Sequence, residues 1–428
     1  MAETAGHRAP EPPSIQEGRP AVVCAFPRQT ALALPLSEAA VGREWLEAAG
    51  LADTEVSTRH VRFARAGRSF RVADAGSRNG TWVDGTALGA GEDVALTDGA
   101  LVRIGRTLLV YREALRGPLE PDPPLGGMVG PYGLRDFRAG LAAIARQRPQ
   151  NVLIEGETGA GKELAAHAVA AALERGTRLV AVNVAGVAAG VFEVQLFGRV
   201  AGAYSDARTP SKGVIAQHEG GAVLLDEVGE LPLDLQPKLL RLLDNREILP
   251  VGATQPVRVD VLLIAATNRD LESLVAAGTF RRDLHARLAM ARLVLPPLRD
   301  RPEDLFAVAQ ALAARERLPL TSDATEVEAV ERMLLYPWPS NTRELAAVLR
   351  RANALDPETR GLKLWTVEQV LGPTGPTGAS GPGGPNSPRA LSQQLVTATL
   401  EECGGSEAAA ARRLGVSRGK LRRFLGKG

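Results

Sequence analysis

Residues 156–163 read Gly156-Glu157-Thr158-Gly159-Ala160-Gly161-Lys162-Glu163, and they constrain the fold more than any other stretch of the chain. Ahead of them Asn151-Val152-Leu153-Ile154 is an apolar strand signal, and behind them residues 164–173 are alanine-rich and helical in propensity. A glycine loop between strand and helix lets backbone N–H groups approach phosphate oxygens, because no Cβ stands in the way. The helix N-terminus adds a partial positive charge and Lys162 a full one. The pattern is G-x-x-x-x-G-K, with Glu163 where a magnesium-binding Ser or Thr is usual. Alone, such a loop is also a common turn.

A strand further along the chain makes the loop half of a catalytic pattern. Ala222-Val223-Leu224-Leu225-Asp226-Glu227 is an apolar run ending in two carboxylates. In a nucleotide hydrolase one acid holds magnesium and the other polarises the water that attacks the γ-phosphate. Residues 178–183 form another strand signal ending in Asn183, and 261–268 a third ending in Asn268. Strands alternating with helical stretches predict a parallel sheet, with ligands at its carboxyl edge.

At 428 residues the chain exceeds one core, so several domains are expected, and 45 glycines with 29 prolines leave room for linkers. A net charge of +2 excludes a polybasic nucleic-acid binder overall, but residues 389–428 hold eight Lys/Arg against three Asp/Glu. Cys24 and Cys403 stand far apart without metal spacing, which fits a reducing compartment. No apolar run reaches membrane-spanning length, and residues 1–20 lack the apolar core of a signal peptide. A cytoplasmic protein with no membrane partner is expected.

Residues 1–20 read as disordered, and 21–112 carry short β runs, 68–72, 81–83, 100–104 and 108–111, separated by turns such as Asn79-Gly80. That is an all-β sandwich pattern. Val41-Gly42-Arg43, Ser57-Thr58-Arg59-His60 and Gly76-Ser77-Arg78-Asn79-Gly80-Thr81 occur in the order seen in forkhead-associated (FHA) domains, which this segment resembles. The resemblance implies that Arg43 and Ser57 hold a phosphothreonine phosphate and Asn79 the peptide backbone. It implies a structural role for His60 and a tuning role for Thr58 and Arg78. A guanidinium fork, a hydroxyl and an amide are suitable phosphate partners. A phosphothreonine-containing protein or a Ser/Thr kinase is then the upstream partner. Residues 113–127, rich in Pro and Gly, read as a linker.

Between 128 and 371 further motifs occur in order: Phe280-Arg281-Arg282-Asp283 through Arg287-Leu288, Leu295-Pro296-Pro297-Leu298-Arg299, and Trp338-Pro339-Ser340-Asn341-Thr342-Arg343-Glu344-Leu345. This region resembles the AAA+ domain of bacterial enhancer-binding proteins, the activators of sigma-54 RNA polymerase, with a core over 128–295 and a helical lid over 296–371. The resemblance implies ATP and Mg2+ as cofactors, residues 156–163 as the nucleotide loop, Lys162 on the β- and γ-phosphates and Asp226 on magnesium. It makes Glu227 the residue that positions water, Asn183 its amide partner, Asn268 the γ-phosphate sensor and Arg343 the lid sensor. Arg281 and Arg287 become arginine fingers reaching a neighbouring subunit of a homo-oligomeric ring, a hexamer by resemblance. Glu163 departs from the general phosphate loop yet matches this family.

The family's sigma-54-contacting loop reads G-A-F-T-G-A, whereas here it is Gly202-Ala203-Tyr204-Ser205-Asp206-Ala207. Tyr204 keeps a ring and Ser205 a hydroxyl, but Asp206 replaces a glycine with a charged, Cβ-bearing residue. Beyond a Gly/Pro linker at 372–389, residues 390–428 read as helix, glycine turn and basic helix, an all-α helix-turn-helix tail. It resembles Fis-type DNA-binding ends, which places Ser417, Arg418, Lys420, Arg422 and Arg423 on a recognition helix for double-stranded DNA. The expectation is an ATP-dependent transcriptional regulator of the sigma-54 activator type. The residues leave a second output open, a DNA-binding regulator that has lost sigma-54 contact through Asp206 and uses ATP for assembly or repression. A third is a phosphopeptide-binding scaffold with a dead ATPase.

Overall fold

The computed structural model describes residues 18–35, 37–67, 69–186, 188–203 and 209–372. Within them the chain forms two compact units, 18–121 and 122–372.

The first unit is a sandwich of two antiparallel sheets. Its strands are β1 (Arg19–Phe26), β2 (Thr30–Ala33), β3 (Ala39–Val41), β4 (Val61–Ala66) and β5 (Ser69–Asp74). They continue with β6 (Thr81–Val83), β7 (Thr86–Ala87), β8 (Asp93–Ala95), β9 (Leu101–Ile104) and β10 (Thr107–Leu115), with a short helix α1 (Arg43–Ala48) after β3. One sheet runs β2-β1-β10-β9-β6-β7 and the other β3-β4-β5-β8. Strand alternation supplies the core: Val22 and Cys24, Val61 and Phe63, Phe70 and Val72, Leu109 and Tyr111 each point inward from alternate positions. Burial pushes the Cys24 thiol up to about 12, so it acts as a small apolar side chain.

Two expected boundaries are corrected here. Residues 19 and 20 belong to β1, and 113–115 extend β10, because Arg19 pairs with Leu115 across the two strands and satisfies their backbone groups. The expected linker narrows further at its other end. There Leu125 and Met128 exchange backbone bonds, and Asp122 holds Arg135 at 3.0 Å.

The second unit contains α2 (Arg135–Gln147), β11 (Asn151–Glu155), α3 (Lys162–Ala172), β12 (Leu179–Asn183), α4 (Ala189–Phe197), β13 (Gly198–Arg199) and β14 (Ser211–Lys212). Then come α5 (Val214–Gln217), β15 (Ala222–Asp226), α6 (Gln236–Asn245), β16 (Glu247–Ile248), β17 (Val257–Arg258) and β18 (Leu262–Thr267). The remainder is α7 (Leu271–Ala276), α8 (Arg282–Leu288), β19 (Arg292–Val294), α9 (Leu305–Arg315), α10 (Val327–Leu334), α11 (Asn341–Leu355) and α12 (Leu364–Leu371). Five strands form a parallel sheet in the order β12-β15-β18-β11-β19. Its strands read as continuous apolar runs because both faces are covered. Leu153, Val223, Leu225 and Leu263 enter a core with α4, α6 and α8. Their neighbours Val152, Ile154, Leu224 and Ile264 enter a second core with α2 and α3. The alanines of α3 let that helix lie close on the sheet, and residues 156–161, 183, 226–227 and 268 all fall at the same carboxyl edge.

Candidate functional site

The glycine loop leaves β11 and enters α3 through two left-handed positions, Gly159 at φ +75° and Gly161 at +105°. A Cβ on Gly159 would stand 2.2 Å from the Ser340 carbonyl oxygen, so this position is closed to any larger residue. Lys162 opens α3 and is only 7% exposed; its Nζ donates to the Gly156 carbonyl at 3.0 Å and lies 3.6 Å from Glu227 Oε1. Glu163 comes next, exposed, in the first turn of the helix.

Asp226 ends β15, and burial pushes its carboxyl upward, helped by the neighbouring Glu227 charge and opposed by Lys162. Glu227 occupies the left-handed region at φ +58°, a strained setting for a Cβ-bearing residue. Its Oε2 accepts from the Asn268 backbone N–H at 3.2 Å, while the Asn268 side chain donates to Thr158 Oγ1 at 2.8 Å. Asn268, directly after β18, therefore touches Glu227 through its backbone N–H and the glycine loop through its side-chain amide.

The lid closes on this edge. Asn341 donates to the Thr158 carbonyl and to Glu157 Oε2, both at 3.1 Å, and Thr342 donates to the Gly159 carbonyl at 2.6 Å. Arg299 forks onto both Glu157 oxygens, Nη1 donating to Oε2 at 2.8 Å and Nη2 to Oε1 at 2.5 Å, and that pairing keeps the Glu157 carboxyl below its usual range. A cavity of about 450 Å³ lies between loop and lid, lined by Lys162, Asp226, Glu227, Arg315, Thr342 and Arg343 among others. An apolar hollow of about 90 Å³ adjoins it, walled by Met128, Val129, Leu134, Leu164, Val308 and Leu312.

These residues fit ATP and Mg2+. The glycine cradle admits phosphates where a Cβ would not, the lysine and two arginines supply charge, and the hollow suits a flat apolar base. Mg2+ is held by one or two carboxylates with phosphate oxygens, and Asp226 beside Glu227 is such a donor set.

Asn183 departs from its expected role. Its side-chain oxygen accepts from Ala185 N at 2.8 Å, a local turn after the strand, and it makes no bond to Glu227. Arg281 and Arg287 do not line this cavity. Arg281 forms a fork with Asp283 at 3.0 and 2.7 Å, and Arg287 pairs with Asp244 at 2.8 Å, all four side chains exposed. Asn341, Thr342, Arg299 and Arg315 carry no role in the expectations from sequence, yet all four meet the loop or its cavity. The first two stand beside Arg343 in one motif, which is the available signal, whereas nothing in sequence ties Arg315 to the loop.

On the first unit the three FHA patches meet in space. The Arg43 N–H donates to the Ser57 carbonyl at 3.0 Å and its Nε to the Val56 carbonyl at 3.1 Å. Ser57 Oγ accepts from the Arg78 N–H at 3.2 Å, and the Asn79 amide donates to the Glu55 carbonyl at 2.7 Å. Gly42 is required for this approach, since a Cβ would lie 2.1 Å from the Ser57 oxygen. His60 is buried behind the loops, its Nδ1 accepting from Ser57 N at 3.0 Å and its Nε2 donating to the Gly80 carbonyl at 2.9 Å. Gly202 and Ala203 emerge from the β13–β14 ladder, Gly202 at φ +82°. Tyr204, Ser205, Asp206 and Ala207 lie outside the described residues, as do Ser417, Arg418, Lys420, Arg422 and Arg423. Among the described residues no helix is long and apolar enough to cross a membrane.

A glycine cradle on a parallel sheet, closed by a helical lid, is how AAA+ ATPase domains are built, and the second unit is one. The family model of the sigma-54 interaction domain matches residues 134–294, that of the FHA domain 40–105, and that of the bacterial regulatory protein, Fis family, 387–427. The regulatory protein LuxO of Vibrio cholerae is 44% identical over 205 residues, 47% of this chain and 39% of that protein. The DNA-binding transcriptional regulator NtrC of Rhizobium meliloti is 42% identical over 220 residues, 51% and 46% of the two chains. The NtrX structure from Brucella abortus, also solved with ADP and with ATP, superposes with a TM-score of 0.50 at 27% identity, covering 70% of this chain and 69% of that one. The matches to LuxO and NtrC span less than half the length of either protein. The matches give this chain a sigma-54 interaction domain of the AAA+ type, with an FHA domain before it and a Fis-family region behind it.

Proposed function

We propose that this protein is an ATP-hydrolysing transcription regulator of the sigma-54 activator type. In this reading it binds a phosphothreonine protein through its FHA domain and double-stranded DNA through residues 390–428. The observation that carries the reading is the convergence of loop, acidic pair and Arg343 on one cavity, with Asn268 bonded to two of its lining residues, Glu227 and Thr158. Bound ATP with Mg2+ supplies the γ-phosphoryl group and its charge-neutralising ion. Lys162 and the N–H groups of 156–163 hold the phosphates, Asp226 holds the ion, and the hollow beside Met128 and Leu312 takes the base. Glu227 orients the attacking water and accepts its proton, and Asn268, bonded to both Glu227 and Thr158, registers the γ-phosphate. Arg343 neutralises charge from the lid; Arg281 and Arg287 do so from the neighbouring subunit of a ring. On the FHA face Arg43 and Ser57 take the phosphate and Asn79 the peptide backbone. Ser417, Arg418, Lys420, Arg422 and Arg423 contact DNA.

Promoter opening by sigma-54 RNA polymerase tests the reading. ATP-dependent open complexes that require Lys162 and Glu227 are the expected result, and ATP turnover without opening would overturn the activator role. Asp206 favours a second reading, a regulator that no longer engages sigma-54. An Asp206→Gly variant that opens promoters where the natural chain does not would establish it.

A further inference from the structure

Two arginines on the FHA face go beyond what one phosphate requires. A phosphothreonine dianion carries about −1.5 to −2 charge, which a guanidinium fork, a hydroxyl and an amide satisfy. In the proposed reading Arg43 and Ser57 supply the first two, and Asn79 supplies its amide to the peptide backbone. Beside them stand Arg59, two residues from Ser57, and Arg78, whose N–H donates to Ser57 Oγ at 3.2 Å. Both side chains are exposed, and neither forms an ion pair among the described residues.

Asp53 and Asp74, carboxylates of the same unit, are occupied elsewhere. Asp53 accepts from Glu55 N at 3.0 Å, and from Arg106 N and Thr107 Oγ1 at 2.8 Å. Asp74 accepts from Gly76 N, Ser77 N, Ser77 Oγ and Thr81 Oγ1. Burial pushes the Asp74 carboxyl upward, but those four bonds outweigh it and hold it below its usual range. Elsewhere on this unit Arg62, Arg71 and Arg112 are each held by Glu38, Asp93 or Asp98 at 2.8 to 2.9 Å.

We propose that this face selects phosphothreonine peptides carrying a second anionic group close to the phosphothreonine, read by Arg59 and Arg78. The inference rests on the phosphothreonine reading and names its substrate class more narrowly. The second anion is an Asp or Glu carboxylate or another phosphate. Both offer paired acceptor oxygens to a guanidinium, which a neutral side chain does not. Because the arginines are exposed, they act through complementarity at the rim, with a modest gain in affinity that falls with added salt.

Anisotropy titrations of the full chain with labelled peptides test this. The peptides carry phosphothreonine among alanines, with one Asp or one further phosphothreonine placed within about three residues on either side, since an extended peptide advances about 3.3 Å per residue. An unphosphorylated acidic peptide is the control. The best acidic peptides should bind about three- to tenfold tighter than the neutral phosphopeptide at low salt. Arg59→Ala with Arg78→Ala should erase that gain, leaving the neutral phosphopeptide within about twofold, the change expected from an unused rim charge. Equal affinity for neutral and acidic phosphopeptides overturns the inference alone, as does a gain that survives the double substitution. Loss of phosphate dependence in the unsubstituted chain overturns the underlying reading instead. The Asp and phosphothreonine arms separate the two sources of charge, and unchanged thermal unfolding shows that the variants fold.

Discussion

Thr342 Oγ1 donates to the carbonyl of Gly159 at 2.6 Å, fastening the first turn of the lid helix α11 to the middle of the phosphate loop. Asn341 stands beside it at φ +51°, reaching the Thr158 carbonyl, and Arg343 comes next on the cavity wall. Arg343 is thereby placed on the cavity wall by the glycine loop.

Removing that fastening should separate lid closure from loop geometry. Thr342→Val keeps the shape and loses one hydrogen bond, about 0.5–1.5 kcal/mol. ATP affinity by calorimetry should weaken by about two- to tenfold, the same free energy expressed as a ratio. Gly159→Ala should be far worse. The left-handed backbone costs about 1–2 kcal/mol, and the new Cβ meets a backbone oxygen that no rotamer change can move. Nucleotide binding at wild-type strength in Gly159→Ala would show that the loop and lid separate in solution.

Glu227 and Lys162 should fail differently. Glu227→Gln removes the base while keeping the shape and the Asn268 contact, so binding should persist and turnover should fall by about 10²–10⁴-fold. Lys162→Ala should abolish binding. Phosphate release and nucleotide affinity, measured separately, distinguish the two. Turnover near the wild-type rate in Glu227→Gln would remove Glu227 from the chemistry.

The placement of these residues at one sheet edge could be read from residue order, because each apolar run ends at a polar residue: Asp226 closes β15, and Asn268 comes directly after β18. The apolar runs of a sheet covered on both faces made those strands visible. The sandwich was less legible. Strands β1 to β4, β7 and β8 fall outside the β runs that residue order marks: the apolar run 21–26 of β1 has no alternation to separate strand from buried helix, and β3, β7 and β8 are three residues long or shorter. Asn183 shows the opposite limit. It occupies the expected strand end, but whether a carboxamide turns toward a catalytic acid or into its own turn depends on side-chain torsions that residue order does not encode.

Arg281 and Arg287 are exposed, paired with Asp283 and Asp244, and absent from their own subunit's cavity. Arg281→Ala should therefore bind ATP normally as a monomer, yet lose about 10³-fold or more in turnover if the residue completes a neighbour's site. Mixing it with the Glu227→Gln variant is the decisive measurement. Some interfaces in mixed rings then pair an intact Glu227 with an intact Arg281, and part of the turnover should return. Mixtures no more active than their components would place Arg281 outside catalysis.

His60 should make the FHA domain sensitive to mild acid. Burial lowers its pKa below 6.5, with the Gly80 carbonyl and the Asp74 and Asp53 charges only partly opposing. The folded domain thus binds the imidazole proton more weakly than the unfolded chain does. The stability His60 contributes is complete above 6.5 and is lost as pH falls through the folded value. The geometry gives the same direction: Nδ1 accepts from the Ser57 N–H, and a proton there would set two donors against each other beneath Ser57. Peptide affinity alone is an ambiguous readout, because phosphothreonine itself takes a proton near pH 6. Unfolding of the FHA domain, followed without peptide from pH 7.5 to 5.5, should show a fall in midpoint that His60→Gln flattens. An NMR titration should place the imidazole below 6.5. An imidazole titrating above 6.5, or an unfolding midpoint flat over that range, would mean that this histidine stays solvated and does not support Ser57 from behind.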